Sequence, residues 1–133
     1  MILQHATSLQ SVVLHHDMLW VDEHNWSPVV GNAEYSLTGA LVIENGLRLA
    51  GQPITLQPPD DSMAWHTRAV IDQLYAWSAL PGQPFNLTLD NGQLYQVVFR
   101  HHEPPAMEAK PVANLASFEA DGFWTVKLKF ARI

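Results

Sequence analysis

The chain has 133 residues, 47% of them hydrophobic and only 15% charged, with a formal net charge of -6 and no cysteine. This length fits one domain, residues 1–133, with enough apolar material for its own core. The missing cysteine excludes disulfides, thiolate catalysis and sulfur-ligated zinc, and the acidic balance argues against specific nucleic-acid binding.

The charged fraction lies well below the roughly 25% usual for soluble domains. Part of the surface is therefore expected to be covered by something other than solvent. No run reaches the ~18 apolar residues of a membrane span. The start, Met1-Ile2-Leu3-Gln4-His5, has neither a basic region nor a continuous apolar segment, so no signal peptide is expected and assembly in the cytoplasm is.

Residues 1–34 read as an irregular N-terminal region of short extended pieces, with Ser11–His15 and Leu19–Val21 as candidate strands. Alternation is clear from Tyr35 to Glu44, where Tyr35, Leu37, Gly39, Leu41 and Ile43 share a face. Asn45-Gly46 matches a tight hairpin turn, so the chain is predicted to return through Leu47–Ala50 and Pro53–Leu56. The second face of this hairpin carries unusually little charge, so either both faces are expected to be covered or one meets a partner.

Asp60, Asp61 or Ser62 is the predicted N-cap of a helix over about residues 62–80. Its apolar positions are Val70, Ile71, Leu74, Trp77 and Trp65 or Tyr75; His66, Arg68, Asp72 and Gln73 are expected outside. Pro81-Gly82 stops it. A second hairpin follows, with Phe85, Leu87 and Leu89 before the Asp90-Asn91-Gly92 turn and Tyr95, Val97 and Phe99 after it. Residues 101–118, with Pro104, Pro105 and Pro111, read as a long loop or arm. Phe123–Ile133 is the last strand, with Trp124, Val126, Leu128 and Phe130 on one face. The whole predicts a mainly β fold: an antiparallel sandwich or partly open barrel with one flanking helix.

Chemistry-bearing patterns are sparse. Seven histidines raise the question of metal, with His15-His16-Asp17 and His101-His102-Glu103 as corners and His24 nearby. Adjacent histidines on a strand point to opposite faces, so His15, His101, His102 and Glu103 form only a weak set, and no metal or cofactor is expected. Asp22-Glu23 and Asp60-Asp61 are consecutive and need no raised pKa. No Gly-x-Ser-x-Gly elbow and no phosphate-binding Gly-rich loop occurs. Lys127, Lys129 and Arg132 are read as blunting an exposed edge. Trp20 and Trp26 lie in the irregular region, where aromatics serve as interface anchors or a carbohydrate platform.

Several stretches resemble one family. They include Asp22-Glu23 through Trp26-Ser27-Pro28-Val29, Tyr35–Leu41 and Gly51–Leu56. They continue with Trp77–Gly82, Leu87-Thr88-Leu89 and Tyr95–Arg100. Together they resemble small tail-associated proteins of tailed bacteriophages and prophages, and the element order resembles the ring-forming domain of distal tail proteins.

The resemblance implies a non-enzymatic structural protein of the virion tail, in the distal tail or baseplate. It implies a homo-oligomer, a six-fold ring around the tail channel, with tube, hub or baseplate proteins as partners. Trp20, Trp26, Pro28, Tyr35, Met107 and Phe118 are the expected intersubunit residues. Asp22, Glu23, Asp90 and Glu103 are the channel-facing candidates. A carbohydrate- or surface-binding module using Trp20 and Trp26, and a small metal-dependent enzyme, are the alternatives.

Overall fold

A computed structural model describes residues 1–60, 62–112 and 122–133. In chain order the strands are β1 Ile2–His5, β2 Ser11–Val13, β3 Leu19–Trp20, β4 Val29–Tyr35, β5 Leu41–Leu47, β6 Pro53–Gln57 and β7 His66–Thr67. Helix α1 spans Arg68–Ser78, followed by β8 Phe85–Thr88, β9 Leu94–Phe99, β10 Met107–Pro111 and β11 Phe123–Arg132. The fold is mainly β, with antiparallel sheets and one flanking helix, as the alternation predicts. No helix among the described residues is long and apolar enough to cross a membrane.

Strand β11 organises the main sheet, because its period-two pattern lets one face go inward along its whole length. Val126, Leu128 and Phe130 are buried and Trp124 packs beside them. Its C-terminal half pairs with β6 on one side and β9 on the other; its N-terminal half pairs with β7 and β10. The rest of the sheet runs β2-β1-β8-β9, then β11-β6-β3. Leu3, Ile54, Leu56, Leu74, Phe85, Leu87, Val97, Leu128 and Phe130 form the deepest part of one core. Each such side chain contributes about 1.5–3 kcal/mol by leaving water.

The N-terminal region is less irregular than expected. Ser11–Val13 and Leu19–Trp20 are strands where predicted, but Ile2–His5 joins the sheet as well, between β2 and β8. His5 replaces an apolar residue at its inward position. The ring lies edge-on to Phe85, and Nδ1 accepts the N–H groups of Thr7 and Ser8.

The helix is shorter than predicted, 68–78 instead of 62–80. Asp60 Oδ1 accepts the Ser62 N–H at 2.7 Å in a local turn instead of capping α1. Ala64 then has φ of 56°, which no helix tolerates. His66 and Thr67 go on to pair with Trp124 and Phe123, so the cap falls on Thr67, without a side-chain hydrogen bond. Ile71, Leu74 and Trp77 are the buried stripe. His66, expected outside, is buried.

The first hairpin turns at Ser36–Ala40, not at Asn45-Gly46. Gly39 takes φ of 85°, its N–H reaches the Ser36 carbonyl at 2.9 Å, and the Ser36 N–H reaches the Ala40 carbonyl at 2.8 Å. The Ser36 hydroxyl also accepts the Ala40 N–H. Register explains the choice. Ala33 now faces Ile43, Tyr35 faces Leu41 and Val29 faces Leu47, whereas a turn at Asn45-Gly46 would set Ile43 against Arg48 and Leu41 against Ala50. The second hairpin turns where predicted, with the same device: Gly92 has φ of 84° and donates to the Leu89 carbonyl.

The long connection is also shortened, since Met107–Pro111 is strand β10. Residues 113–121, including Phe118, lie outside the described residues. Lys127 and Lys129 sit on β11, which is paired on both sides rather than at an edge. Arg132 instead stacks over the Tyr95 ring.

Candidate functional site

The feature that stands apart from the core is the β4–β5 ribbon. It forms a sheet of its own, and all seven residues of each strand are exposed. Pairing assigns its two faces. Val29, Gly31, Ala33 and Tyr35 lie opposite Leu47, Asn45, Ile43 and Leu41, an uncharged and largely apolar face. Val30, Asn32 and Glu34 lie opposite Gly46, Glu44 and Val42, so both acids of the ribbon share the other face.

On the first face Tyr35 is 77% exposed, Leu47 68%, Ile43 60%, Leu41 51% and Val29 47%. At the turn Leu37 is exposed completely. Gly31 has a local role there: a Cβ would sit 2.6 Å from Asn45 Oδ1, so the glycine lets that carboxamide lie across the ribbon. Isolated two-stranded ribbons are at best marginal in water. A contiguous apolar patch above about 400 Å2 on a soluble protein marks an interaction surface.

The predicted interface residues divide accordingly. Tyr35 is on the arm, Pro28 at its root, where the Pro28 carbonyl accepts the Arg48 N–H at 2.8 Å, and Trp26 beside it under the Arg48 guanidinium. Trp20 is half-buried: its indole N–H donates to the Pro53 carbonyl and its ring meets Tyr95 edge-on. That leaves little of it for a sugar platform or an interface anchor. Met107 is buried within its own chain, which removes it from the intersubunit set. Phe118 lies outside the described residues. The sequence reading missed Val29, Ala33 and Leu47 as members of one surface, because that face exists only once β4 is paired with β5.

The channel candidates also divide. Asp22 is a structural ligand: it accepts the Thr55 N–H at 2.9 Å and the Thr55 hydroxyl at 2.7 Å. Thr55 Oγ1 accepts in turn from Arg100, which is buried and whose Nη1 lies 3.0 Å from Glu103 and 3.9 Å from Asp22. This network ties β6 to the end of β9, so Asp22 is not free to line a channel, and Glu103 has a cation partner. Asp90 is exposed and bound to the Met1 amine at 2.8 Å. Glu23 is exposed, 3.8 Å from His24.

The metal set is rearranged. His15, His16 and Asp17 lie beyond β2, off the strand, so the opposite-face rule no longer holds; the two rings stack at 4.5 Å. Their ligand atoms lie within 4.8 Å of one another. His15 Nδ1 already accepts the Asp17 N–H. His101 is not part of that set: its Nε2 is 2.7 Å from the Ser78 carbonyl, at the end of α1 opposite to His66 and His15. In the open cleft between α1 and β10, of about 530 Å3, Arg68 and Asp72 on the helix lie 3.1 Å apart.

Comparisons with protein-family models, with characterised proteins and with solved structures return no match.

Proposed function

We propose that this chain is a non-enzymatic structural subunit of a bacteriophage tail, in the distal tail or baseplate. It assembles as a homo-oligomeric ring around the tail channel, and the β4–β5 arm makes the contact between neighbours. One observation carries the reading: an entire two-stranded ribbon stands in solvent with an uncharged, largely apolar face. A ring subunit needs such a face, because each copy must be covered by the next. The resemblance of the flanking segments to tail-associated proteins supplies the tail context. The low charged fraction fits a surface partly reserved for other subunits.

Native mass spectrometry and electron microscopy of the purified full chain test the assembly, and protein analysis of purified virions tests the location. The expected result is a closed ring of fixed stoichiometry and the same protein in tails. A chain that stays monomeric at tens of micromolar and is absent from virions overturns the proposal.

A further inference from the structure

The arm needs a receptor, and strands β2, β1, β8 and β9 of the same chain offer an outer face whose strand residues carry no charge. Across β2, β1, β8 and β9 the register aligns Val13, Ile2, Thr88 and Leu94 in one row. The parallel row is Ser11, Gln4, Asn86 and Gln96, all amides or a hydroxyl. Val13 is 71% exposed, Leu94 64% and Ile2 44%. Alternation makes this the outer face, since Leu3, Val12, Phe85 and Leu87 point into the core.

We infer that the uncharged face of the β4–β5 arm docks on this β2-β1-β8-β9 outer face of a second copy, laying a two-stranded layer over the sheet. The inference rests on the assembly reading above. Three observations favour this seat. Polarity is compatible: neither face carries a charge, and each sets apolar side chains beside amides, Asn45 on the arm and Gln4, Asn86 and Gln96 on the sheet. The ribbon is long enough as well: seven residues extend roughly 24 Å, more than the roughly 15 Å that four paired strands span between their axes. Sheets stack face to face in this way about 10 Å apart.

Area is the third argument. At the exposures given, the apolar side chains of the two faces, with the flanking amides, amount to on the order of 1,000 Å2 per contact, about what a specific interface requires. In a closed ring every subunit gives one arm and receives one, which doubles the area each buries. A second outer face, on β10 and β11, carries Glu108, Lys110, Lys127 and Lys129. Covering it with an apolar ribbon would take these charges out of water, at several kcal/mol per ion. Glu34 and Glu44 stay on the solvent side of the docked arm.

The test exploits the two-sided nature of the contact. Ile43→Asp spoils the arm and leaves the receptor; Leu94→Arg spoils the receptor and leaves the arm. Both positions are exposed, so each variant is expected to melt like the dissociated wild-type chain at high dilution, and Val13→Arg replaces Leu94→Arg should that variant fail to fold. Native mass spectrometry should find wild type assembled, each variant alone monomeric, and an equimolar mixture forming a one-to-one heterodimer that grows no further. A wild type that never assembles overturns the assembly reading and this inference with it. A wild type that assembles while Leu94→Arg assembles equally well, or while the mixture stays monomeric, overturns the receptor assignment alone.

Discussion

His66 makes the stability of the body depend on pH in a calculable way. It is 5% exposed, and its Nε2 accepts the His15 backbone N–H at 2.9 Å. Burial, and then the neighbouring His15, hold its pKa down from 6.5 to about 4, against a smaller opposite pull from the Ala64 carbonyl. Protonation would also turn the acceptor into a donor facing another donor. Because the folded value lies below the unfolded one, the unfolded chain binds more protons between these limits, and stability falls as pH falls through them. The contribution is complete above pH 6.5 and gone near pH 4; the displacement is worth roughly 3 kcal/mol. His66→Gln keeps an acceptor for the His15 N–H and removes the titration. Urea unfolding at pH 7 and pH 4, in an Ile43→Asp background so that assembly does not contribute, should show the parent losing roughly 3 kcal/mol more than the variant. Equal losses in both would refute the neutral, buried state assigned to His66.

Other outcomes follow from the same coordinates. Gly39→Val places a β-branched residue at φ of 85° and should strain the arm's turn by about 1–2 kcal/mol. Assembly should weaken roughly tenfold with no change in the body's melting, as read by native mass and calorimetry. Arg100→Met should cost about 3 kcal/mol by denaturant unfolding, since it leaves Asp22 and Thr55 without their cation. Leu128→Ala, between Met107 and Leu56 at the centre of the sheet, should cost about 2–5 kcal/mol in the same assay.

Legibility followed the length of the pattern. Strand β11 could be read because its alternation runs ten residues without a competing signal, and the mainly β class came with it. Strand β1 could not: four residues with a histidine at an inward position resemble any polar start. The first hairpin was visible but set in the wrong register, because Asn45-Gly46 and Ser36–Gly39 are both turn chemistry. Only cross-strand pairing of Ala33, Tyr35 and Val29 decides between them. The helix start failed at Ala64, whose left-handed backbone leaves no trace in composition. Asp22 was misread because its partners, Thr55 and Arg100, lie far off in the chain. That Val29, Ala33, Ile43 and Leu47 share an uncharged face follows from the β4–β5 register, and that this face stands away from the core is a tertiary fact.

The central claim is that another molecule of this chain covers the arm, and hydrogen exchange across residues 29–47 tests it most directly. Followed by mass spectrometry over a range of protein concentrations, the arm's amides should become protected as the protein assembles. They should exchange quickly in Ile43→Asp at every concentration. Arm amides that exchange equally fast in wild type and variant, however concentrated, would contradict the account.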